Sequence, residues 1–127
     1  MDRHTESRLK REQVVWLVTA SKDAHPQAVL VWFVWDGSSF LIHAQDGIKV
    51  KHIKENPRVE LHLNSDEAGD DVVRVSGQAA VRQKPQAHEN AAYMRKYGRA
   101  IKDLGMTPES FSGAYRNVIS VRRLKFH

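Results

Sequence analysis

The run from Gln27 to Trp35 (QAVLVWFVW), followed at once by Asp36-Gly37 and then by Phe40 to Ala44 (FLIHA), constrains the fold more than any other stretch. β-Branched and aromatic side chains suit a pleated, packed surface. An Asp-Gly pair between two such runs is a strong hairpin signal, because both central positions of the tight turn need positive φ. A chain carrying this hairpin must build an antiparallel sheet, and other strand-length runs supply the partners. Val14 to Ala20 (VVWLVTA) precedes it across a turn at Lys22 to Pro26. It is too apolar for simple alternation and reads as a strand buried on both faces. Val59, Leu61 and Leu63 alternate with Arg58, Glu60, His62 and Asn64, the period of a half-buried strand. Val73, Val75, Ala79 and Val81 make a fifth strand, in which Gly77 marks a bulge or a close backbone approach. Asn117 to Phe126, with Val118, Ile119, Val121 and Leu124 apolar, is the last.

Helical patterns fill the spaces between. Residues 5–13 read as a short polar helix, with Thr5 or Ser7 as its cap. Asp46 or Gly47 can cap a helix from Ile48 to Glu55 that turns Val50 and Ile53 inward and sends Lys49, Lys51, His52 and Lys54 to other faces. Asn56-Pro57 stops it. Pro85 to Gly105 reads as a longer helix with a possible bend at Gly98, and Thr107-Pro108-Glu109 opens another, with Thr as cap and Pro at the first helical position. Short, mostly hairpin-linked strands with helices set between them predict a closed antiparallel barrel of six strands with the helices packed outside.

At 127 residues the chain has room for one domain, residues 1–127, and one core. With 41% hydrophobic and 28% charged residues it has the makeup of a globular protein rather than a disordered one. No apolar run approaches the ~20 residues of a membrane span. Met1 to Arg11 is charged throughout and lacks the apolar core of a signal peptide, so the expected location is cytoplasmic. The absence of cysteine excludes disulfides, thiol nucleophiles and Cys-based metal sites. The net charge of +5 is spread along the chain without interleaved aromatics, which argues against nucleic-acid binding.

Catalytic signatures are scarce. The seven histidines show no metal-ligand spacing, and His43 and His62 read as hydrogen-bonded barrel residues. The acidic stretch Asp66, Glu67, Asp70 and Asp71 lacks the ligand rhythm of a calcium loop and reads as a solvated loop. Gln45-Asp46-Gly47-Ile48-Lys49-Val50-Lys51-His52 is the exception. A strand ends, a Gly turn follows, and a helix opens with a lysine in its first turn, where the helix dipole disfavours positive charge. A bound anion would reverse that sign, the free backbone N–H groups and Lys49 converging on it; otherwise Lys49 and Lys51 are solvated surface lysines. Trp32 and Trp35 lie three apart on a strand and face opposite sides, one into the barrel and one outside, where it could meet a planar ligand or a subunit. Trp16 reads as plain core packing.

The segments Val15–Thr19, Pro26, Val31–Gly37, Lys49–Ile53 and Asn56–Val59, in that order, resemble the pyridoxamine-phosphate-oxidase-like split-barrel flavoproteins. Leu61–Asp66, Gly77–Ala79, Lys96–Gly98 and Leu104–Glu109 resemble the branch of that family described as deazaflavin (coenzyme F-420) dependent. The resemblance spans residues 8–125 and rests on the order and spacing of the motifs together.

What the resemblance implies is a six-stranded split β-barrel, mainly β with flanking helices, forming a homodimer with two cofactor sites at its interface. It implies coenzyme F-420, or alternatively FMN, with the cofactor phosphate on Lys49. The tricyclic ring is expected near Val29, Val31 and Trp32, and the cofactor tail near Ala44 and Gln45, with Lys51 and Arg58 helping to neutralise its charge. The implied activity is a cofactor-dependent oxidoreductase, a deazaflavin-dependent reductase passing a hydride to an unsaturated small-molecule substrate. The alternatives are an FMN oxidase or reductase, or a non-catalytic flavin- or deazaflavin-binding protein. No catalytic side chain is singled out. The chain departs from the family pattern at Gly47, where relatives carry a hydroxyl residue; in a phosphate loop one residue shorter; at Ala24, where they have Gly; and at Arg123, where Pro is common.

Overall fold

A computed structural model describes residues 1–127. The elements run α1 (Arg3–Arg11), β1 (Val14–Ala20), β2 (Pro26–Trp32), β3 (Val34–Trp35), β4 (Phe40–Ala44), α2 (Ile48–Glu55), β5 (Arg58–His62), β6 (Arg74–Arg82), α3 (Ala91–Asp103), α4 (Pro108–Ala114) and β7 (Asn117–Phe126), with one 3-10 turn at Ala87–Glu89. The strands form one antiparallel sheet in the order β2-β1-β5-β6-β7-β4-β3. Its two end strands, β2 and β3, are separated in the chain by Phe33 alone, so the sheet curls until its edges meet in one continuous run. No ladder joins β2 to β4, and the barrel is split along that line.

There are seven strands rather than six because the 27–35 run changes partners at Phe33. Before it, β2 pairs with β1 from Val14 opposite Trp32 to Ala20 opposite Pro26; after it, β3 pairs with β4. The Phe33 peptide is satisfied from α3 instead of by a strand. Its N–H donates to Tyr97 Oη at 2.9 Å, and its carbonyl accepts from Lys96 Nζ at 3.0 Å. Tyr97 Oη also lies 2.8 Å from that carbonyl and 2.7 Å from the Gln13 carbonyl, with one proton to give to either. A backbone group supported in this way can leave the ladder without cost.

The barrel interior is an apolar cluster that includes Leu17, Phe33, Trp35, Phe40, Ile42, Leu61 and Ile119, and α1 adds Leu9 to it. Arg8, also buried, holds α1 in place by donating to the Asp71 carbonyl at 2.6 Å and the Asn64 carbonyl while pairing with Glu12. The acidic loop is therefore partly structural: Asp71 also lies 2.9 Å from His4. α1 starts two residues earlier than predicted, because Asp2 caps it through Thr5 N. The 85–105 helix is interrupted where Asn90 caps α3, and α4 starts at Pro108 beneath Thr107 as predicted. α3 and α4 form a second cluster against the barrel, with Tyr93, Tyr97, Ile101 and Phe111 buried.

β1 alternates, contrary to the expectation of burial on both faces. Val15, Leu17 and Thr19 are buried, while Val14, Trp16 and Val18 are half-buried on the outer face. Trp16 is thus not a core residue; it stacks on His62 outside the barrel and donates to Asn64 at 2.8 Å. Trp35 packs inside on Phe40 and Trp32 outside on Tyr97, the opposed placement their spacing predicts. At Gly77 both anticipated features occur: a Cβ there would stand 2.9 Å from the Arg122 carbonyl, and the β6–β7 register shifts across it. Arg123, opposite this shift, has φ +54, which proline cannot adopt. Ala24 takes φ +63, the left-handed conformation that a glycine adopts more easily.

Candidate functional site

The split between β2 and β4 is a cleft of about 470 Å³, within the size range of small-molecule and cofactor sites. β1 and β2 supply one wall through Val14, Leu30, Val31 and Trp32. The end of β4 supplies the other through His43, Ala44 and Gln45, and Lys49 of α2 follows. Tyr93, Phe111 and Tyr115 of α3, α4 and the α4 end, with Leu104, form the outer side. Trp32 lies flat against Tyr97, with ring centroids 4.6 Å apart and planes within 2°, so the aromatic wall is fixed by packing.

Lys49 is half-buried and has no carboxylate or other hydrogen-bond partner; burial alone pulls its ammonium pKa down. It stands in the first turn of α2, which carries no acidic residue, and Gly47 at the N-cap has no side chain to bond the free N–H groups. Asp46, the other candidate cap, instead accepts from Arg116 at 2.8 Å and from Asn117 at 2.6 Å. Gly47 has φ 157 and ψ −165, backbone that glycine adopts more readily than other residues. An unpaired cation therefore stands on an apolar cleft, in the first turn of a helix whose N-cap, Gly47, faces the neighbouring basin with Lys51 and Lys54; free N–H groups and a lysine in one helix turn favour an anion.

Of the residues expected to touch a cofactor, the structure gathers Val31, Trp32, Ala44, Gln45 and Lys49 on the cleft. Val29 packs against the barrel core instead. Lys51 lies on the other side of α2, in a shallow basin with Asp46, Lys54 and Arg116. Arg58 is exposed at the start of β5, paired with Gln78, and does not line the cleft. His52 turns inward rather than outward and meets Thr19 Oγ1 at 2.9 Å.

Sequence reasoning missed seven of the cleft residues: Val14, Leu30, Leu104, Phe111 and Tyr115, and the polar pair His43 and Tyr93. Neither His43 nor His62 is the hydrogen-bonded barrel histidine expected: His62 stacks on Trp16, and both ring nitrogens of His43 lack partners. Burial brings the His43 pKa down to about 4, so the imidazole is neutral. A histidine in an otherwise apolar strand is the only signal the sequence offers for it.

The family model for pyridoxamine 5'-phosphate oxidase matches residues 1–124. The chain belongs to this family. Among solved structures, an F420 reductase is similar with a TM-score of 0.76 and 25% identity, covering 100% of this chain and 98% of that one. General Stress Protein 26 from Bacillus anthracis aligns with a TM-score of 0.66 at 16% identity over 97% of this chain and 91% of its own. The heme storage protein HutZ from Vibrio cholerae aligns with a TM-score of 0.58 at 14% identity over 96% and 90%. These last two share the fold. No match was found among curated proteins. Family and architecture are thus those the sequence resemblance implied, with the strand count corrected; no helix is long and apolar enough to cross a membrane.

Proposed function

We propose that this member of the pyridoxamine 5'-phosphate oxidase family binds a phosphate-bearing deazaflavin, coenzyme F-420, in the β2–β4 cleft and acts as a reductase of unsaturated organic substrates. The observation that carries the reading is Lys49: a half-buried ammonium without a partner, at the uncapped start of α2, beside an apolar cleft with a flat aromatic wall. The residues present suit such a group. Lys49 and the first-turn N–H groups would hold the phosphate, the Val31–Trp32 wall would carry the ring, and Ala44 and Gln45 would line the path between them. Lys51 and Arg58 stand outside the cleft, within the protein's basic surface, where they would act on an anionic tail through the field rather than by contact. When reduced, the cofactor supplies a hydride, which the substrate's double bond takes up together with a proton from solvent. The protein's part is to bind and orient the reactants. The similarity to an F420 reductase favours this cofactor over FMN, which would use the same anion seat.

Titration of the purified protein with coenzyme F-420 and with FMN, followed by cofactor fluorescence, tests the reading. Low-micromolar binding of F-420, with weaker binding of FMN, is expected. The reverse order makes this an FMN protein, and binding of neither overturns the site. Oxidation of reduced F-420 by a panel of enones then separates an enzyme from a carrier.

A further inference from the structure

We propose that His43 and Tyr93 form a second recognition element in the cleft, a pair of neutral donors that hydrogen-bonds a ring carbonyl of the bound flavin or deazaflavin. The inference rests on the cofactor reading above and extends it to two residues that the phosphate site does not involve. His43 comes from β4 and Tyr93 from the first turn of α3, and their rings meet edge to face with centroids 4.4 Å apart. His43 is 4% exposed and Tyr93 0%, and both line the cleft. The two His43 nitrogens and the Tyr93 hydroxyl are the only buried side-chain polar atoms in the chain without a hydrogen-bond partner. Native interiors seldom leave such groups unpaired, and those left unpaired call for a functional explanation.

The contrast with Tyr97, one turn further along α3, sharpens the point. Its hydroxyl is equally buried but bonds Phe33 and Gln13 and so belongs to the framework. The same helix satisfies its structural tyrosine and leaves the hydroxyl of the one beside the cleft buried and without a partner. The chemistry of the pair also differs from that of Lys49. Burial keeps both groups uncharged, His43 with a pKa near 4 and Tyr93 with its phenol pKa raised. Neutral O–H and N–H donors suit a carbonyl acceptor and do little for a phosphate, which Lys49 receives. The cleft lining therefore carries one cation and a pair of uncharged polar side chains, which together match a ligand with an anionic group and a polar, uncharged ring.

Tyr93→Phe and His43→Phe test this, with coenzyme F-420 and FMN as probes. The ligand-free Tyr93→Phe protein should melt at or above the wild-type temperature, because it loses a hydroxyl that has no partner. Its affinity for the cofactor that wild type binds should fall about five- to thirtyfold, and the visible absorption band of the bound cofactor should shift as a carbonyl hydrogen bond is lost. His43→Phe should act in the same direction. A Tyr93→Phe protein with unchanged affinity and band position, or one destabilised only without ligand as if ordered water bonded the hydroxyl, overturns the inference and leaves the Lys49 site intact. Failure of wild type to bind either probe overturns both.

Discussion

Lys49 owes its character to what surrounds it: burial on one side, a helix N-terminus behind it, and no carboxylate in reach. Charge-assisted contacts to a phosphate contribute about 1.5–3 kcal/mol. Lys49→Ala should therefore weaken cofactor binding roughly ten- to a hundredfold, while the melting temperature without ligand stays level or rises slightly, because the buried ammonium is uncompensated. Lys51→Ala, on the opposite side of α2, should cost much less. Fluorescence titration at two salt concentrations and a thermal melt measure both. His43 makes a separate prediction. Its folded pKa, near 4, lies below the ordinary histidine value, so between about pH 6.5 and 4 the unfolded chain binds a proton the native one refuses. Stability is retained above that window and drains as pH falls through it, by up to about 3 kcal/mol at pH 4. His43→Phe should flatten this part of an acid-unfolding curve followed by circular dichroism.

At the level of elements, Gly77 is a point of close approach between β6 and β7. A valine there would drive its Cβ to 2.9 Å from the Arg122 carbonyl and from the Val121 and Leu124 side chains. Backbone on one side cannot yield, so Gly77→Val should cost about 1–3 kcal/mol, read as a lower denaturation midpoint in urea. This glycine was legible in the sequence, as were α2, α4, β4 and the extent of β7, because each rests on local chemistry: a period, a cap, a turn residue. The break at Phe33 was not legible, because a hydroxyl 64 residues away makes it. The exposure of Trp16 was missed for a related reason: an apolar strand reads the same whether its second face is covered by its own chain or by something else. At the cleft, Lys49 could be read from its place at a helix start, whereas His43 and Tyr93 become neighbours only when β4 and α3 pack together.

The whole molecule presents an outer sheet face of Val14, Trp16, Val18, Ala28 and Leu30, half-buried or exposed across the paired strands β1 and β2. Contiguous apolar surface of this kind marks an interface, and a two-fold axis would bury the same patch on both copies. The expected state is a dimer, and light scattering at micromolar concentration should report twice 14.5 kDa. Trp16→Glu, which lies outside the cleft, should shift the population toward monomer; a wild-type monomer would refute the assignment.

One consequence concerns the order of events during folding. β4, which carries His43 and Ala44 to the cleft, is anchored in the sheet interior by β7, with Ala44 opposite Asn117. That pairing closes one of the longest loops in the chain, and such loops are costly to close before the contacts reward them. The cleft is thus expected to be assembled late, after the local hairpins exist. Cofactor added at the start of refolding should leave the refolding rate unchanged and slow unfolding in proportion to its occupancy. Stopped-flow tryptophan fluorescence, with and without ligand, would show the unfolding arm of the chevron displaced downward while the refolding arm stays where it is.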